Sequence, residues 1–170
     1  RLGFWMLMLH MLTVGGRPGG MVDADMDTDG TPSTAETGRS RPLTGEEQDW
    51  LRCAAAMGRA GRRAAQPLYG TAAGKVELGK GAGGDHTLEI DRACEVAMQE
   101  ALAAEAPGPY RLVSEETGIT GQEGAPWCVV VDPVDGSLNA KHGLQPFGAS
   151  VGVARTGGTE GGVLADMAVG

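Results

Sequence analysis

The side chains best placed to do chemistry in this sequence are carboxylates at the ends of apolar runs. The stretch WCVVVDPVDGSLN spans Trp127 to Asn139. Its first five residues, Trp127 to Val131, have the make-up of a buried strand. They lead directly into Asp132, Pro133, Val134 and Asp135. Pro133 fixes its own φ and biases Asp132 towards an extended conformation, so both aspartates are presented from a stiff turn. Like charges this close repel unless a cation lies between them. A second pair, Glu115 and Glu116, ends the run YRLVSEE, and Asp85, followed by Thr87, lies just before a helical segment. Such an all-oxygen set suits Mg²⁺ or Mn²⁺. With two ions about 3.5–4 Å apart, it suits transfer of a phosphoryl group to water. Gly136 and Ser137 begin a short helical turn whose backbone N–H groups would face an anion, and Ser137 adds a hydroxyl beside the metals.

The elements that must position these groups follow from pattern. TGEE at Thr44–Glu47 is a capping box, and a helix is expected from there to about Ala65, burying Trp50, Leu51, Ala54, Met57 and Ala64. A glycine-rich passage, Gly70 to Gly84, follows. HTLEIDRACEVAMQEALAAEA, beginning at His86, reads as a second helix with Ile90, Ala93, Cys94, Ala97 and Ala101 on one stripe, ended by Pro107 and Pro109. YRLVSEE and WCVVVD are strands. FGASVGVA and GGVLADMAV, joined by RTGGTE, read as an antiparallel hairpin. The fold class expected is α+β, with two helices packed on one face of a largely antiparallel sheet.

Composition narrows the function. The 170 residues suit one domain or part of a larger one. A net charge of -8 and a pI near 4.8 argue against a nucleic-acid groove, although bound metals could still recruit phosphate. Cys53, Cys94 and Cys128 lack paired metal-ligand spacing and read as small buried hydrophobes in a reducing, cytoplasmic setting. RLGFWMLMLHMLTV at the start is shorter than a membrane span requires. Residues 1–20 read as mis-assigned upstream sequence or a cloning remnant, with a signal peptide as the alternative. Residues 15–43, with aspartates at 23, 25, 27 and 29, are expected to be disordered. Within them DMDTDGTPSTAE, Asp25 to Glu36, has EF-hand loop spacing, but Pro32 and the lack of flanking amphipathic helices favour a solvated acidic tail. His10, His86 and His142 have no partners that complete a ligand set.

The motif DPVDGSLN resembles the D-P-[IL]-D-G-[ST]-x-N signature of the inositol monophosphatase family. The family's upstream Glu-Glu pair is similar to SEET at 114–117, and GAGGDHTLEID is similar to its stretch before the second helix. The resemblance covers residues 44–170 and is nearest to the branch with archaeal fructose-1,6-bisphosphatases that also act on inositol phosphates. It implies the N-terminal half of a layered sugar-phosphatase fold. It implies Glu115 as a ligand of the first metal that helps orient the attacking water, Asp132 as a bridge between two metals, the Val134 carbonyl as a further ligand, and Asp135 on the second metal. Ser137 would position or deprotonate the water, with Asp85 and Thr87 in support and Glu116 behind the ligands. The Gly136 and Ser137 N–H groups, with Asp135, would hold substrate.

The family also carries a later W-D-x-A-A-type motif that completes the second metal site, and these 170 residues contain none. The expected organisation is therefore an N-terminal extension, 1–43, and a metal-binding domain, 44–170, cut short at its C-terminus. The expected function is a Mg²⁺-dependent phosphatase, with Mn²⁺ as a substitute, acting on a small phosphorylated sugar or cyclitol. The protein is expected to bind neither nucleic acid nor membrane, and to form a homodimer when full-length. The alternatives are a nucleotide 3′-phosphatase of the same superfamily and a non-catalytic, truncated metal-binding fragment.

Overall fold

The computed structural model describes residues 42–84 and 86–156, and the backbone of 163–168. The expectations for residues 1–41, including the EF-hand-like loop, lie outside the described residues, and so does Asp85. Among the described residues no helix is long and apolar enough to cross a membrane.

Helix α1 (Gly45–Ala65) starts where the capping box predicts. Thr44 Oγ1 accepts the Glu47 N–H at 3.3 Å, and Glu47 Oε2 accepts the Thr44 N–H at 2.8 Å. Strands β1 (Glu77–Lys80) and β2 (His86–Leu88) form an antiparallel hairpin. Helix α2 (Glu89–Glu105) follows immediately. Then come β3 (Tyr110–Ser114), β4 (Gly118–Gly121), β5 (Trp127–Asp135), the short helix α3 (Ser137–His142), β6 (Gly148–Arg155) and β7 (Val163–Ala168). The last five strands form one sheet in the order β4-β3-β5-β6-β7. Its neighbours are antiparallel except β3 and β5, which run parallel with Ser114 beside Val131.

Helices α1 and α2 pack together over one face of this sheet, giving the α+β architecture expected. The main core joins Trp50, Met57, Met98 and Leu102 from the helices to Leu112, Trp127, Val129, Val131, Val151 and Val153 from the strands. A second cluster, with Leu88, Ile90, Cys94, Val134, Ala140 and Phe147, sits beneath α3 and fixes it to β5.

Three expectations need correction. The second helix begins at Glu89 rather than His86, because residues 86–88 pair with β1. Its buried face is Ile90, Asp91, Cys94, Glu95, Met98 and Leu102, whereas Ala93, Ala97 and Ala101 are only half-buried. The alanines are apolar enough for a core but too small to fill it, so the larger side chains turn inward and carry two carboxylates with them. Finally, β5 does not end at Asp132. It continues through Pro133 to Asp135, and between Asp132↔Ser150 and Asp135↔Gly148 it holds one residue more than β6. That bulge, beyond the last residue paired with β3, is where an otherwise central strand can hold a proline.

Candidate functional site

The carboxylates gather where β3 and β5, parallel neighbours, end side by side. Pairing of Ser114 with Val131 puts Glu115 and Asp132 at the same level, and the Glu115 N–H donates to the Val131 carbonyl at 3.2 Å. Glu115 and Asp132 lie close enough for the Glu115 carboxylate to bear directly on Asp132. Asp132 is only 7% exposed. Burial, then the Glu115 carboxylate, then the Asp135 charge push its carboxyl well above the usual range. Its Oδ1 accepts the Val134 N–H at 3.2 Å. Asp135, at the strand's end, is exposed.

Behind this pair, Glu116 is pushed up to about 7 by burial and by the Asp91, Glu115 and Glu95 charges, against the pull of its hydrogen bond from the Thr87 hydroxyl. Thr87 thus holds Glu116. The glycine-rich loop lies directly on this turn: the Ala82 N–H donates to the Glu116 carbonyl at 2.9 Å and the Gly83 N–H to that of Glu115 at 2.8 Å. A Cβ at Gly81 would stand 2.5 Å from Glu116 Oε2, which explains why side chains are missing there.

Beyond the bulge, Gly136 caps α3 at φ +93°, and a Cβ on it would meet Phe147 Cβ at 3.1 Å. Ser137 Oγ donates to the Val134 carbonyl at 2.9 Å. His86 and His142 are exposed.

One site residue escapes the sequence reading. Asp91, 1% exposed on α2, accepts the Leu88 N–H at 2.7 Å through Oδ2, while its Oδ1 has no hydrogen-bond partner. Burial raises its carboxyl to about 6, the Leu88 and Ser137 contacts lower it, and the Glu115 charge adds to the rise. Ser137 carries a single proton, which is directed at Val134, so turning that hydroxyl towards Asp91 would give Oδ1 its partner. The available signal was a carboxylate inside the helix's apolar stripe, next to Ile90.

As the side chains stand, no three Asp, Glu, His or Cys residues among those described close around one point to hold a metal ion. The donor chemistry nevertheless fits a hard divalent cation. The charges bearing on the buried Asp132 are themselves carboxylates, Glu115 and Asp135, and Asp91 presents an unpartnered buried oxygen.

Comparison with known proteins gives the same picture. Residues 46–170 match the model of the inositol monophosphatase family. The chain is 37% identical over 87 residues to a fructose-1,6-bisphosphatase/inositol-1-monophosphatase of Thermococcus kodakarensis, a match over 51% of this chain and 32% of that protein. It is 37% identical over 84 residues to the Nus factor SuhB of Pseudomonas aeruginosa, over 48% of this chain and 31% of that one. The chain therefore spans about a third of the length of these curated relatives. Among solved structures, an inositol monophosphatase–fructose 1,6-bisphosphatase superimposes with a TM-score of 0.56 at 26% identity, over 63% of this chain and 41% of that one. An IMPase of Thermotoga maritima gives 0.51 at 26%, over 64% and 41%. Strand-end acids, sheet order and the extent of the match together lead to one conclusion: the chain belongs to the inositol monophosphatase family.

Proposed function

We propose that the chain forms the metal- and phosphate-binding part of a Mg²⁺-dependent phosphatase, with Mn²⁺ able to substitute. Its substrate would be a small phosphomonoester, inositol phosphate or fructose-1,6-bisphosphate. The observation that carries this reading is the parallel pairing of β3 with β5, which levels Glu115 with Asp132, the Glu115 and Asp135 charges both bearing on the buried Asp132 carboxyl. Carboxylates held this close repel one another unless a divalent cation lies between them.

Glu115, Asp132, Asp135 and the Val134 carbonyl would hold the metal, which when bound polarises the phosphate and lowers the pKa of water. Ser137 and Asp91 orient the attacking water, the hydroxyl passing its hydrogen bond from Val134 to Asp91 as it does so. Gly136 and Ser137 offer backbone N–H groups to the phosphate, with Asp135 beside them. Thr87 and Glu116 hold the turn behind Glu115, and Asp85 would support the water and the metal. The whole protein would act as a cytoplasmic homodimer. One relative is named a Nus factor, but a net charge of -8 favours a small anionic ester held through metal over a nucleic-acid partner.

One observation favours a second, non-catalytic reading: as the side chains stand, no three of those described close around one point. Phosphate release decides between the two. Inositol 1-phosphate, fructose-1,6-bisphosphate and adenosine 3′,5′-bisphosphate are each tested against a Mg²⁺ titration, with EDTA and Glu115→Gln as controls. Metal-dependent release from a sugar or cyclitol ester supports the proposal. Release from the nucleotide alone moves the substrate class. A folded chain that binds Mn²⁺ and releases no phosphate establishes the non-catalytic reading.

A further inference from the structure

We propose that Glu95 is a positioning residue: from α2 it fixes the turn that carries Glu115 and Glu116. Glu95 is 4% exposed. A carboxylate that deep needs hydrogen-bond donors, and the identity of its donors is informative. Its Oε1 accepts the Ser114 hydroxyl, the Thr117 hydroxyl at 2.9 Å and the Gln99 Nε2–H at 3.1 Å. Ser114 and Thr117 are the residues immediately before and after the two glutamates. One oxygen therefore ties both ends of the turn. Gln99 braces the far end by donating to Thr117 Oγ1 at 3.0 Å as well.

The other holds on this turn act on its backbone. Val131 accepts the Glu115 N–H, while Ala82 and Gly83 donate to the Glu116 and Glu115 carbonyls. Those contacts fix where the chain runs. The Glu95 contacts pin the side chains that flank the glutamates, and so limit how far the turn can rotate about its own direction. A leucine or methionine would fill the same space without restraining either hydroxyl.

Asp91 lies four residues earlier on the same face of α2. It reaches Leu88 and stands against Ser137, while Glu95 reaches the Glu115 turn. One helix turn thus measures the distance between the two chain segments that bear the site's acids. Metal-site positioning of this kind typically contributes about 10–100-fold in metal affinity.

The test uses Mn²⁺ itself as probe, followed by calorimetry on Glu95→Ala, Glu95→Gln and Thr117→Val, with amide exchange of residues 110–121 measured in parallel and α1 as the internal control. Only the Mn²⁺ arm depends on the metal-site reading above. Glu95→Ala is expected to bind Mn²⁺ about 10–100-fold more weakly and to exchange faster across Ser114–Thr117 with α1 unchanged. Glu95→Gln keeps an acceptor oxygen and should restore most of both. Thr117→Val, at an exposed position that leaves the core alone, should fall between them, and it decides the matter if Glu95→Ala does not fold. Folded variants with wild-type affinity and wild-type exchange across the turn overturn the proposal. If the wild-type chain binds no Mn²⁺, the metal-site reading fails, and exchange across Ser114–Thr117 alone rules on Glu95.

Discussion

Replacing Asp91 with asparagine should move stability and activity in opposite directions, and the size of the stability change follows from the structure. The folded protein holds the Asp91 carboxyl at about 6, against 3.8 for the free group. A carboxyl raised on folding is bound more weakly in its ionised form by the native state than by the unfolded chain. Its contribution is therefore fully present below about pH 4, falls as pH rises through 6, and is absent above that. Two pH units at 1.36 kcal/mol each come to about 3 kcal/mol lost by pH 8, an upper figure because nearby carboxylates can adjust. The substituted amide would not titrate. Its carbonyl can take the Leu88 N–H at the position of Oδ2, and its NH₂ group can donate to Ser137 from the position of Oδ1. Urea unfolding in EDTA, followed by circular dichroism, should show D91N more stable than wild type at pH 8, by up to about 3 kcal/mol, and equal to it within about 1 kcal/mol at pH 4. Phosphate release in the proposed enzyme should fall at the same time, because the amide cannot accept the Ser137 proton. A stability difference that does not change with pH, or a variant weaker than wild type at both, would refute the view of Asp91 as an unpaired buried acid.

Three further outcomes are expected. Asp132→Asn should abolish turnover without lowering the melting temperature in EDTA, since burial already opposes its charge; near-normal kcat at saturating Mg²⁺ would remove Asp132 from the metal site. Ser137→Ala should lower kcat about 10²–10⁴-fold with little change in KM, while Ser137→Thr is tolerated; an Ala variant that changes only KM would make the hydroxyl a substrate contact. Gly121→Ala should lose about 1–3 kcal/mol in urea unfolding, because φ is +85° and the new Cβ would sit 2.7 Å from the Tyr110 carbonyl; an unchanged midpoint would show that the β3–β4 pairing yields easily.

The local signals in the sequence are legible because each is encoded within a few residues. The Thr44 cap, the apolar run into Asp132, the hairpin after Phe147 and the turn at Gly136–Ser137 all stand as expected. What pattern does not give is which face of a helix turns inward. On α2 the alanines have the spacing of a core stripe, yet Met98 and Leu102 fill it, and Asp91 and Glu95 come inward with them. Their partners, Ser137, Ser114 and Thr117, are remote in sequence, so nothing local marks either acid as buried. Asp85 lies outside the described residues. Thr87 grips Glu116, whereas the acid beside Ser137 is Asp91. The parallel pairing of β3 with β5 was equally invisible, because strand direction is set by tertiary contact, and it is that pairing which levels Glu115 with Asp132.

The bulge in β5 determines which kinds of change its motif can accept. A regular strand sends positions 132 and 135 to opposite faces, and the one extra residue is what lets both aspartates act on the same side. Spacing there carries information that residue identity does not. Val134, held only by packing and its backbone, can exchange for isoleucine at little loss. A single glycine inserted before Asp135 removes no functional group, yet it reverses the alternation and turns that carboxylate away from Asp132. Between the two aspartates, chain length rather than composition is what homologous sequences have to keep, and a gap placed there in an alignment would mark a chain that has lost the site.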